Sequence, residues 1–128
     1  MRAPLAIITA TLWISINEFL RNQLVLLDRW IEHFRALGMT FPGDPVNGAV
    51  WGLWSLCFAV TLYFLSRRYD LLATVALGWC FGFVLMWLVV GNLGVLPFGV
   101  LPVAVPWSFV EVIGAVWLLR RIAPTTRA

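Results

Sequence analysis

The chain has 128 residues, 62% from the apolar set and 12% charged, with a formal net charge of +3 at pH 7 and a mean hydropathy of +0.91. A soluble domain is about 45–50% apolar and about 25% charged, and a disordered chain needs low hydrophobicity and high charge, so both classes are excluded. All nine basic residues are Arg; without Lys there is no Schiff-base or lysine-nucleophile chemistry, and one His with two Cys supplies neither a disulfide scaffold nor zinc-ligand spacing.

Stretches of about 20 predominantly apolar residues are long enough to cross a membrane as helices. Four qualify: Leu5 to Leu27, Val46 to Leu65, Leu71 to Val90 and Phe98 to Leu119. What is left over is too short for a second domain. The expected fold is therefore an all-α integral membrane protein, with residues 1–128 forming one bundle of four transmembrane helices.

The first span begins behind Arg2 like a signal peptide, but its apolar run passes into Asn17 and Glu18 without a small-residue cleavage site. It is read as an uncleaved span. From Asn17 to Leu37 the pattern becomes two-faced: Ile16, Leu20, Leu24, Leu27, Ile31 and Phe34 share one face, and Asn17, Arg21, Asp28, Glu32 and Arg35 fall opposite. A straight helix from Leu5 to Leu37 would be about 50 Å long, against a hydrocarbon core of about 30 Å. Either this amphipathic extension of helix 1 projects on the extracytoplasmic side, or it bends near Gln23 and lies along the interface. Gly38, Pro42, Gly43 and Pro45 end it and turn the chain into span two.

Arg67 and Arg68 occupy the turn between spans two and three, Arg120, Arg121 and Arg127 follow span four, and Arg2 precedes span one. The positive-inside rule places both termini and this turn in the cytoplasm of an inner (plasma) membrane. Gly48 with Gly52, and Gly78 with Gly82, have the spacing of close-approach motifs between helices in lipid. The connection from Gly91 to Pro102 is apolar yet rich in Gly and Pro. It is either a turn dipping into the headgroups or a shallow re-entrant segment, the latter tolerated only where its backbone is buried or wetted. Pro106 lies inside the last span, where it can kink the helix.

Glu111 carries the sharpest chemical signal. It lies about 14 Å from the cytoplasmic end of span four, and a carboxylate at mid-membrane faces protein, a wet cavity or a partner. Ser108, Gly114 and Ala115 share its face and let another helix approach. It is either a proton or cation site, or a side chain that holds helices together. Asn17, Glu18, Arg21, Asn22, Asn47 and Asn92 gather at the outer level; Arg21, Asn22, Asn47 and Asn92 count to about 28–33 Å from the cytoplasmic flanks. They form either one hydrated, substrate-binding mouth that uses Arg21 for an anion or a lipid phosphate, or a set of interfacial and capping side chains. Cys57 and Cys80 are expected at the depth of Glu111 as buried small residues, with soft-metal binding the minor alternative. Trp13 and Trp79 fall near the midplane as core residues. His33, beside Asp28 and Glu32, has no HExxH context and reads as part of a charged helix face.

No catalytic motif, metal-ligand set or cofactor fingerprint is present. The expected function is a dimeric solute or ion transporter or channel that uses Glu111. The alternatives are an accessory or assembly subunit of a larger membrane complex, and a lipid-directed enzyme at the outer interface using Glu18, Asp28, Glu32 or His33. Expected partners are the lipid bilayer and a second copy or other membrane subunits, not nucleic acid.

Overall fold

The computed structural model describes residues 1–125, and Arg127 lies outside them. No strand occurs among the described residues. The chain runs through α1 (Arg2–Phe19), a π-helical turn (Leu20–Val25), α2 (Leu27–Ala36), α3 (Pro45–Arg68), α4 (Leu71–Trp79), a second π-helical turn (Cys80–Val84), α5 (Leu85–Asn92), a 3-10 turn (Phe98–Val100) and α6 (Leu101–Ile122). Four continuous helical stretches, Arg2–Val25, Pro45–Arg68, Leu71–Asn92 and Phe98–Ile122, are long and apolar enough to cross a membrane. They match the four expected spans. The last three extend further at their C-terminal ends, to Arg68, Asn92 and Ile122; in two of them Arg67, Arg68, Arg120 and Arg121 occupy the last turns, where cations complement the helix dipole.

Helix α6 is central and packs against α1, α3 and α4. Its buried face includes Ala104, Ser108, Glu111, Val112, Ala115 and Leu119. Against it α1 presents Ala6, Ala10 and Ile14, and small side chains on both partners let the backbones close up. Gly114 is where α1 seats Trp13: a Cβ there would stand 2.6 Å from the indole. The indole Nε1 donates to Glu111 O at 2.9 Å. Trp79 is likewise internal, donating to Ser108 Oγ at 2.9 Å.

The glycine pairs act differently from the close backbone approach their spacing suggested. Gly78 and Gly82 face the side chains of Leu62 and Phe58, so they receive knobs from α3 and bring no second backbone near. Gly48 and Gly52 have no atom within 4 Å of where a Cβ would stand, so neither makes a helix contact within the chain.

At the arginine-bearing end, side chains clip the helix ends together. Arg120 donates to Tyr69 O at 2.7 Å, and Arg67 to Ala123 O at 3.4 Å and Pro124 O at 3.2 Å. Asp70 caps α4 by accepting from Ala73 N at 2.8 Å. The turn between α3 and α4 is thereby tied to the end of α6.

At the opposite end the long first helix does not continue straight to Leu37. It passes through the π-helical turn and breaks at Leu26, whose φ of −107° and ψ of 3° leave the helical region. Helix α2 is then lashed to the α5–α6 connection: Arg29 donates to Gly99 O, and His33 Nε2 donates to Gly94 O at 2.8 Å. The apolar character of that connection is explained by its cover. Leu96 and Val100 are buried with Leu26 and Ala104 in a small second core, against which Trp30 packs. Gly94 adopts φ +74° to close the turn after α5, and α6 runs unbroken through Pro106.

The face of α1 that a soluble protein would bury is the one exposed here. Leu5, Ile8, Leu12 and Ile16 are each more than half exposed, while Asn17, Glu18 and Arg21 are buried.

Replacing Gly114 by Val drives a branched side chain into the Trp13 ring and is expected to destabilise the fold by about 1–3 kcal/mol. Gly48→Ala, with open space before it, should stay within about 0.5 kcal/mol of the parent. Thermal unfolding in detergent, followed by circular dichroism, compares the two; equal midpoints would contradict the seating of Trp13 on Gly114.

Candidate functional site

Three charged side chains that lie far apart in the sequence meet inside the bundle. Arg21 is 3% exposed, Glu18 6% and Glu111 0%. Arg21 Nη1 donates to Glu111 Oε2 at 2.6 Å, and Nη2 donates to Glu18 Oε1. The guanidinium also lies over the ring of Phe83, 5.4 Å from its centroid. One cation therefore serves two carboxyl groups, against a ring whose face attracts positive charge.

Sequence counting placed Arg21 and Glu111 at different depths; the structure joins them. An arginine on a helix points its side chain toward the helix N-terminus, so Arg21 reaches back along α1 toward the middle of the bundle. The π-helical turns contribute as well. Arg21 sits in the first and Phe83 in the second, and each adds a residue to a turn and shifts which side chains face inward. Glu18 and Arg21, three apart on one helix face, are delivered to α6 together.

A hydrogen-bonded chain leads outward from this triad. Asn22 Nδ2 donates to Glu18 Oε2 at 3.0 Å, and Trp30 Nε1 of α2 donates to Asn22 Oδ1 at 3.2 Å. Asn17 is also engaged, accepting from Trp107 Nε1 at 3.0 Å and donating to Trp13 O at 2.8 Å. Glu111 Oε1 is buried without a hydrogen-bond partner among the described residues; such an orphan acceptor costs about 1–3 kcal/mol.

Glu18, Arg21 and Asn22 form part of the wall of a cleft of about 650 Å³, within the range of about 300–1,000 Å³ typical of small-molecule sites. Asn47 and Asp44 line the same cleft. So do Gly48 and Gly52, whose missing side chains leave the space open. Much of the remaining wall is aromatic: Trp30, Phe34, Phe41, Trp51 and Trp87. Trp30 and Phe41 stack with centroids 5.9 Å apart, and Phe34 meets Phe41 edge-on at 5.3 Å. This cluster forms because Gly38, at φ +72°, closes α2 with Met39 N bonded to Phe34 O at 2.9 Å, turning the chain back across α2.

Of the six polar residues expected to gather, Glu18, Arg21, Asn22 and Asn47 line the cleft, Asn17 lies buried beside it, and Asn92 is exposed and does not join. Its helix ends in the turn beneath α2, which leaves Asn92 on the outside of the bundle. Glu111 stands behind the cleft as the partner of Arg21. Cys57 is exposed and Cys80 half-buried, and no cluster of potential metal ligands occurs among the described residues. His33 is occupied as a strap to Gly94. The residues that sequence reasoning missed are the aromatic walls and Asp44. The signal was available in Trp30 and Phe34, four apart on one helix face, followed by the turn Phe41–Pro42–Gly43–Asp44–Pro45.

No family model matches the chain, and no curated protein or solved structure matches it.

Arg21→Met leaves two buried carboxyl groups without a cation and is expected to cost about 3–5 kcal/mol. Glu111→Gln keeps an acceptor for Arg21 and leaves the Arg21–Glu18 pair intact, so its cost should be below about 2 kcal/mol. Unfolding titrations with sodium dodecyl sulfate, read by tryptophan fluorescence, rank the two variants; the reverse order would contradict the shared-cation arrangement.

Proposed function

We propose that this chain is a multi-pass protein of the inner (plasma) membrane, with both termini and the Ser66 to Asp70 turn in the cytoplasm. On this reading it takes a small solute into the cleft from the extracytoplasmic side and acts as a transporter. The membrane assignment is supported by four sufficiently long apolar helices and by the exposure of Leu5, Ile8, Leu12 and Ile16 over a buried charged triad. Lipid solvates such a surface, and ionisable side chains in a membrane turn toward the bundle interior. The orientation is supported by Arg2, Arg67, Arg68, Arg120 and Arg121 at the ends that the positive-inside rule assigns to the cytoplasm.

The observation that carries the solute reading is the cleft itself, with Glu18 and Arg21 in its wall. Intramembrane charges that border a cavity mark substrate and ion pathways. Arg21 also bonds Glu111 on α6, so a ligand that disturbs Arg21 acts directly on the contact between α1 and the central helix. Helix α2 lies across the connection to α6 on this side, as an amphipathic extension at the extracytoplasmic surface.

Two experiments test this reading. In a Cys57→Ser, Cys80→Ser background, Asn47→Cys should react with a membrane-impermeant thiol reagent added outside spheroplasts, and Arg121→Cys only after the membrane is opened. The opposite pattern would overturn the orientation, and an unreactive Asn47→Cys would close the cleft to water. Proteoliposomes loaded with a mixture of amino acids, sugars, amines and carboxylates should lose at least one solute faster with the native chain than with Gly52→Leu, which fills the cleft. Equal retention of every solute would reject transport.

A further inference from the structure

The charge and surface of the cleft point to one class of ligand. Two carboxylates, Glu18 and Asp44, and one guanidinium, Arg21, belong to its wall. The guanidinium is already committed: Nη1 to Glu111 and Nη2 to Glu18. An entering anion therefore finds no unengaged cation in the wall, whereas Glu18 is held there by Arg21 and Asn22 through its two oxygens and a second carboxylate stands on the rim. Asp44 is exposed at the N-cap of α3 and makes no side-chain capping bond there. Its carboxylate is available to a ligand.

The apolar part of the wall favours the same sign of charge. Trp30 and Phe34 come from α2, Phe41 from the turn that follows, Trp51 from α3 and Trp87 from α5. Aromatic faces carry negative electrostatic potential, and several rings around one space recognise ammonium groups, quaternary ones above all. Arg21 over Phe83 is an instance of the same attraction next to the cleft.

Resting on the reading of the cleft as a solute site, we propose that its ligands are small organic cations, amines or quaternary ammonium compounds. Their apolar groups pack among Trp30, Phe34, Phe41, Trp51 and Trp87, and their positive charge is met by the unengaged Asp44 on the rim, with Glu18, already bonded to Arg21 and Asn22, as the second carboxyl group in the wall. The Trp30–Asn22–Glu18 hydrogen bonds fix one of these carboxylates relative to one of the rings, which pre-organises the pair for a cation.

The test uses the full chain in lipid nanodiscs, titrated calorimetrically with phenyltrimethylammonium and, separately, with benzenesulfonate, a benzene ring bearing the opposite charge; empty nanodiscs supply the baseline. The expected result is saturable binding of the cation and none of the anion. Asp44→Asn and Glu18→Gln should each weaken the cation about tenfold, the loss of one favourable charge contact of about 1.4 kcal/mol, and Gly52→Leu should abolish binding. Asp44→Asn lies on an exposed rim and keeps the comparison available if Glu18→Gln does not fold. Equal binding of both probes, preference for benzenesulfonate, or cation binding indifferent to both carboxamide variants would overturn the charge assignment while leaving a cleft that Gly52→Leu still blocks. Absence of cation binding would overturn the ligand class, with thiol labelling of Asn47→Cys deciding independently whether the cleft is open. Cation binding unaffected by Gly52→Leu would overturn the cleft as the site.

Discussion

A buried guanidinium must be paired, and Arg21 is paired twice. Its bonds to Glu18 on its own helix and to Glu111 on α6 commit α1 to the central helix at one height and one rotation. Trp13 then lies opposite Gly114 with its indole on the Glu111 carbonyl, and Trp107 reaches Asn17. Polar side chains from two helices are thus satisfied by each other. Between apolar helices the alternative is to leave such groups unpaired, at about 1–3 kcal/mol for each buried one.

The two π-helical turns belong to the same constraint. Leu20–Val25 contains Arg21, and Cys80–Val84 contains the Phe83 on which Arg21 lies. Single π turns are common where a helix must re-aim a side chain at a functional position. Their placement on both sides of one guanidinium links the irregularity of two helices to a single charge. Past the first of them the helix breaks at Leu26, and α2 is tied down by Arg29 and His33. The returning turn then brings Phe41 against Trp30 and Phe34. The cleft is the space left between this cap and the glycine-bearing start of α3.

Much of the architecture is legible from residue types alone. Four apolar runs separated by Arg pairs, Pro and Gly define four long helices, because a buried backbone in an apolar chain has to satisfy its own hydrogen bonds. Glu111 stands out as the carboxyl in the middle of an apolar run, and Ser108, Gly114 and Ala115 mark its face as one that packs. The partner of Glu111 was not visible: a buried charge needs an opposite one, but Arg21 reads as part of the polar face at the outer level, next to Asn22 and Gln23. Axial counting failed at this pair because it follows Cα positions, whereas an arginine acts at the end of a long side chain directed back along its helix.

What the sequence by itself determined is the one-dimensional part: the number of long apolar helices, roughly where each begins and ends, and which polar residues are costly where they stand; whether the first helix projects or breaks was left to the tertiary structure. Only the tertiary structure decided which of these meet. Gly48 and Gly52 have the spacing of a packing motif and instead open a cleft, while Gly78 and Gly82 receive Leu62 and Phe58. Asn92 shares its level with the polar group and lies outside it. The physical reason is rotational. Periodicity fixes a residue's height and its position on its own helix, but the facing partner depends on how each helix is turned, and here π turns, one arginine and the seating of a tryptophan on a glycine set that rotation.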